Sequence, residues 1–211
     1  MFKIIILTAI LISGSQQLSF AQNQQNYKQA NWLLNNKEDL NLIENYLNNI
    51  KFLEADFIQT APNGEEIKGK LFLSRPGKMR VEYGKPAPTL IIVNGSVLSY
   101  TDLELEETSY LATNSTPASF LTRANFSFAA KDVEIVDFKK SDDFIKASLM
   151  KKNKKEAGEF RLIFTTNPFE FVKMEVKNDM DEITKVTFIA KKLENQIDNK
   201  LFIIKNKNLP K

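Results

Sequence analysis

The sequence predicts a mainly-β protein with helices: one antiparallel sheet, strongly curved or closed into a barrel, entered through one helix and interrupted by another. Three observations lead there. From Phe52 onward, apolar and polar residues alternate in short segments, as half-buried strands require. Turn signals divide those segments, among them "PNG" (62–64), "PG" (76–77), "NG" (94–95) and "NP" (167–168). Ahead of Phe52 the apolar spacing is helical, and at "TPASFLTRA" (116–124) the alternation breaks.

Residues 1–21 read as a cleaved signal peptide. Lys3 gives a positive start, 4–12 an apolar run, and "SFA" (19–21) a small-residue cleavage site, placing the cut after Ala21. The apolar run falls short of the ~20 residues a membrane span needs, so an exported, soluble chain is expected. Residues 22–37 form an Asn/Gln-rich variable arm. From about 38 to 49, Leu40, Ile43 and Leu47 share one helical face, with Ile50 just beyond. Glu38 and Asp39 stand near the positive end of that helix dipole. Strand candidates follow at 52–60, 66–75, 79–84, 89–94, 97–102 and 106–112, then at 132–139, 143–151, 158–165, 169–177, 183–192 and 200–205. Between the two groups, Thr116 is placed to cap a short helix whose first residue is Pro117. One domain is expected over 38–205, with a polar tail at 206–211.

Composition narrows the chemistry. The chain has 29 basic and 26 acidic residues, so there is no basic footprint for nucleic acid. It has no Cys, which excludes disulfides and a lipid-modified cysteine, and no His. Hydroxyl nucleophiles therefore lose their usual base and zinc its commonest ligands. "GEEIKGKL" (64–71) matches the spacing of a phosphate loop, but Leu71 occupies the Ser/Thr position and a strand follows where a helix is required. Acidic clusters at Glu104, Glu106 and Glu107, and at Asp142 and Asp143, sit at turns or strand ends and read as solvated edges. No enzyme, no cofactor and no metal site is expected.

Arg75 is the anomaly. In "LFLSRPGKMRVEY" (71–83) it falls on the parity of Leu71 and Leu73, which a strand would bury. Pro76 biases it toward an extended backbone, so the strand should run through it. A three-residue loop of Pro76, Gly77 and Lys78 would pair Arg75 with Met79, Leu73 with Val81, and Leu71 with Tyr83. A two-residue loop would instead set Arg80 against Leu73. Arg75 would then either snorkel to water along its stem or donate to the unpaired carbonyls that end a nearby short helix such as 117–123.

At this point the residues resemble a known family. "FIQT" (57–60), G-x-L-x-L-x-R-P in "GKLFLSRP" (69–76), "KMRVEY" with Pro86, "LIIVNGSVLSYTD" (90–102) and "TPASFL" are similar to the LolA family of periplasmic lipoprotein carriers. The resemblance runs through about 38–204 and implies an incomplete β-barrel of about eleven strands with a helical lid. It implies a cavity that takes the acyl chains of a lipoprotein released by an inner-membrane ABC transporter. Cargo would then pass to an outer-membrane acceptor, in the periplasm of a Gram-negative bacterium. By the same resemblance Arg75 bonds backbone carbonyls of the lid. The family's acceptor proteins are lipid-anchored, so a chain without Cys better matches the soluble carrier, expected as a monomer. Met79 and Val81 stand where the family often has aromatics.

The expected cavity draws Leu71, Leu73, Met79, Val81 and Tyr83 from one hairpin, and Ile91 and Val93 from the next strand. Phe120 and Leu121 would come from the short helix, and Phe160, Leu162 and Phe164 from the strand at 158–165. A chain of 16 carbons fully buried would gain about 12 kcal/mol at about 0.8 kcal/mol per methylene, too much for a shuttle to release. A lid that fills the cavity with Phe120 and Leu121, latched by Arg75, would compete with the cargo. Three alternatives stay open: a general lipid- or glycolipid-binding module, an enzyme on this fold, or a domain that binds a periplasmic signalling protein.

Overall fold

The computed structural model describes residues 31, 34–152 and 157–205. The signal peptide, most of the variable arm and the polar tail lie outside the described residues. The chain divides into two units, Met1–Asn41 and Leu42–Lys211. The described residues of the first, 31 and 34–41, are helical apart from a turn at Asn36.

Helix α1 spans Lys37–Asn49, with Glu38 and Asp39 in its first turn. In the second unit its apolar stripe is buried at Ile43 and Leu47, followed by Ile50. Tyr46 lies edge-on to Phe164 and Phe169, each 5.6 Å away. Those two rings are themselves stacked, so Tyr46 of α1 rests on an aromatic floor.

Eleven strands follow: β1 (Phe52–Thr60), β2 (Glu66–Ser74), β3 (Lys78–Tyr83), β4 (Thr89–Asn94), β5 (Val97–Asp102), β6 (Glu107–Ala112), β7 (Val133–Lys140), β8 (Phe144–Lys151), β9 (Glu159–Thr166), β10 (Phe169–Lys177) and β11 (Ile183–Leu193). Each pair is antiparallel, in the order β6-β5-β4-β3-β2-β1-β11-β10-β9-β8-β7. One long-range pairing, β1 with β11, joins the two halves. β6 and β7 remain the two edges, so the barrel is incomplete. Register shifts in β1–β11, β9–β10 and β7–β8 mark bulges, which bend and twist a sheet.

Three expectations need correction. The segment 200–205 is not a strand: Asn199–Phe202 forms a 3₁₀ turn capped by the Asp198 side chain. Its apolar residues pack on the outer face of the sheet instead of joining a ladder. Phe202, fully buried, lies with Ile92 and Ile197, and Phe52, Phe72 and Leu90 close around them. The β2–β3 loop is three residues long, but they are Arg75, Pro76 and Gly77, so Leu73 faces Met79 and Leu71 faces Val81. Arg75 leaves the ladder because its N–H bonds the Lys51 carbonyl at 2.8 Å, and Gly77 turns the chain at φ +81°. A shift of two keeps the parity, so the same residues share a face. Finally, Thr116 does not cap the short helix α2 (Ala118–Thr122); its hydroxyl donates to the Thr113 carbonyl.

Candidate functional site

Helix α2 is too short to hold itself together and depends on what it is fastened to. The β2–β3 turn receives its C-terminal end. Gly77 N–H donates to the Thr122 carbonyl at 2.7 Å. Arg75 donates to the next carbonyl, Arg123, from Nε at 2.9 Å and Nη2 at 2.7 Å. The same guanidinium reaches α1 through Nη1 to the Leu47 carbonyl and Nη2 to Asn48 Oδ1 at 3.4 Å. Arg75 is 9% exposed and clasps both helices to the sheet. Burial, and secondarily the positive Arg123, lower its pKa from the ordinary value. Carbonyl dipoles provide the compensating oxygens.

Two polar residues of α1 extend the clasp. Asn48 donates to the Phe126 carbonyl at 2.9 Å and accepts from the Phe126 N–H at 2.7 Å. Glu44 Oε1 accepts from Ser127 Oγ and from Phe128 N–H. Phe126 and Phe128, both buried, meet edge to face at 5.0 Å. Sequence reasoning missed Glu44 and Asn48. They stand one helical turn apart beside the apolar stripe, a visible signal, but their partners are some eighty residues away.

Around α2, Phe120 stacks on Phe160 at 5.5 Å, and the Arg123 guanidinium lies over the Phe120 ring at 5.1 Å. Arg123 also donates to both oxygens of Asp132, at 3.3 and 3.0 Å. Burial alone would raise the Asp132 pKa; the hydrogen bonds and charge of Arg123, with Lys151 beyond, hold it below the ordinary value.

Behind this cover lies an open cavity of about 280 Å³. Its lining contains no charged side chain. Of the expected residues, Leu71, Met79, Val81, Tyr83, Ile91, Leu121 and Phe160 line it. Leu73 and Phe120, with Leu71 and Leu121, line a second, enclosed pocket of about 20 Å³ that also touches Arg75. Val93, Leu162 and Phe164 are buried in the packing and line neither. Sequence reasoning did not include Phe57 and Gln59 of β1, Met174 and Val176 of β10, or Thr184 and Val186 of β11. These enter through the β1–β11 pairing, which alternation along one strand cannot reveal.

The far end of the cavity is polar but uncharged. Tyr83 O–H donates to Gln59 Oε1 at 2.8 Å, and burial, with Tyr100 contributing, pushes the phenol up to about 12. Phe57 lies edge-on to Tyr83 at 5.4 Å, over the backbone of Gly69.

The sequence model of the family described as outer membrane lipoprotein carrier protein LolA matches residues 48–205. The chain belongs to the LolA family. An uncharacterized protein of Rickettsia prowazekii is 26% identical over 206 residues, covering 98% of this chain and 89% of that one. An outer-membrane lipoprotein carrier protein of Chromobacterium violaceum is 38% identical over 87 residues, 38% of this chain and 42% of its own. One of Methylococcus capsulatus is 24% identical over 169 residues, covering 76% and 80%. Among solved structures, a LolA superfamily protein of Nitrosomonas europaea aligns with a TM-score of 0.45 at 14% identity, over 78% of this chain and 97% of its own.

Proposed function

We propose that this LolA-family protein is a periplasmic carrier that takes lipoprotein acyl chains into the cavity behind α2 and moves them from the inner to the outer membrane. The observation that carries the reading is an uncharged, mainly apolar cavity roofed by a five-residue helix fastened by one buried guanidinium and the Gly77 amide. An uncharged lining made mostly of hydrocarbon side chains suits methylene groups. The cavity volume corresponds to about nine water-sized groups at about 30 Å³ each, so a long acyl chain exceeds the space the cavity offers with the cover in place. Nine methylenes would gain about 7 kcal/mol, a releasable, micromolar scale of binding. Deeper burial needs the cover to move, and re-closing then opposes retention.

The partners that follow from this role are an inner-membrane lipoprotein-releasing ABC transporter and an outer-membrane acceptor. Export by the signal peptide would deliver the chain to the compartment between them.

The test is to incubate the mature protein with membranes that contain triacylated lipoprotein and assay the soluble fraction. A soluble one-to-one complex with triacylated cargo is expected. Binding of free fatty acids with no extraction of lipoprotein would instead make the protein a general lipid-binding module.

A further inference from the structure

The hollow under α2 is divided. The open cavity and the enclosed pocket share two wall residues, Leu71 from β2 and Leu121 from α2. Leu71 is fixed: it is 2% exposed and paired on both sides, with Ala55 of β1 and Val81 of β3. Leu121 is not, because it rides on a five-residue helix fastened at its C-terminal end. Past this partition the enclosed pocket is bounded by Arg75, Leu47 and Phe120, which are the clasp and its immediate neighbours.

Resting on the reading of this hollow as an acyl-chain site, we propose that Leu121 is a length-dependent gate. A chain that ends within the open cavity leaves Leu121 in place and the clasp closed. A longer chain displaces Leu121, enters the pocket beside Arg75 and dislodges the guanidinium from the carbonyls it holds. The length of the chain, not occupancy as such, then decides whether the cover opens. With room for about nine water-sized groups in the open cavity, the change falls near that many carbons. The enclosed pocket of about 20 Å³ holds no more than a terminal methyl until α2 shifts.

The experiment uses the mature chain and saturated fatty acids from hexanoate to palmitate as probes. Two quantities are followed: affinity, and hydrogen exchange of the Gly77 amide, whose bond to the Thr122 carbonyl reports the docking of α2. Affinity should rise about fourfold per methylene while the open cavity fills, then flatten over the next few carbons. Gly77 exchange should accelerate at least tenfold only in the chains beyond that flattening. Leu121→Ala should abolish the flattening, so that affinity keeps rising through the lengths at which wild type levels off, whatever contact with the shortest chains the truncation costs. A steady rise through palmitate, equal Gly77 exchange at all lengths, or an unchanged profile in Leu121→Ala would overturn the gate and leave the cavity reading standing. Absence of binding at every length would overturn both. Should Leu121→Ala fail to fold, the wild-type exchange profile against chain length decides alone.

Discussion

A methyl group on Gly69 would stand 2.3 Å from Phe57 Cζ and 2.8 Å from the Glu82 carbonyl oxygen. That contact explains the glycine of the G-x-L-x-L-x-R-P stretch: the tip of the Phe57 ring stands where a side chain would otherwise be. Gly69→Ala should cost about 1–3 kcal/mol, read as a lower urea midpoint, and should weaken chain binding because the displaced ring moves into the cavity. Phe57→Leu in the same chain should restore stability; failure of that rescue would put the cost elsewhere. At Arg75, removing the guanidinium strips the Arg123 carbonyl of its donors. Each bond to a charged donor contributes about 1.5–3 kcal/mol, so Arg75→Leu should shift the cover toward open by more than tenfold. Cargo should load but pass on poorly in a two-membrane transfer assay; wild-type delivery would refute the latch. Arg75→Lys should not rescue it, since one ammonium cannot fork across two helices. Asp132 makes a contribution that depends on pH. Its folded pKa lies below the unfolded one, so the Arg123–Asp132 pair stabilises the fold above the ordinary carboxylate range and is lost as pH falls through the depressed value. The thermal midpoint of wild type should exceed that of Asp132→Asn at neutral pH and converge with it in acid.

Between elements, the seam of interest joins α1 to the segment after α2. Asn48 answers both backbone groups of Phe126, and Glu44 answers two donors at Ser127 and Phe128. Asn48→Ala should leave a backbone N–H and C=O without partners, costing about 1–3 kcal/mol, and should speed exchange at the Phe126 amide. Glu44→Ala should do the same at Phe128. Because both hold one loop, the double variant should cost less than the sum, measured as a coupling in urea denaturation. This seam was not legible in the sequence, although the helix that forms one side of it was. Alternation located the strands, since each needs only its neighbours two residues away to declare a face. The helical stripe of α1 was legible for the same local reason. Arg75 stood out because a charge on a buried parity has few satisfactory partners, although its carbonyls could be guessed only as a class. The cavity wall contributed by β10 and β11 was hidden, because nothing local says that β1 pairs with β11. The segment 200–205 misled for the converse reason: Leu201 and Phe202 carry a strand-like pattern while packing sideways on a sheet already complete.

Across the whole sheet, the two faces have separate tasks. The outer face is closed at Phe52, Phe72, Leu90 and Ile92 by the C-terminal segment, which Arg80 and Asn94 tie down through the Leu201 and Phe202 carbonyls. Phe202→Ala should therefore cost about 3–5 kcal/mol of global stability. Acyl-chain affinity, measured at a temperature where the variant is still folded, should stay at the wild-type value. A large loss of affinity would show that the outer packing shapes the inner wall. The inner face serves the cavity, and its perimeter stops at β6 and β7 without joining them. A fully hydrogen-bonded cylinder has a girth set once and for all by strand number and stagger. This one ends in two margins that no ladder joins among the described residues, with Tyr110 and Leu111 of β6 exposed at one of them. Strand pairing alone therefore does not set the width of the opening between them.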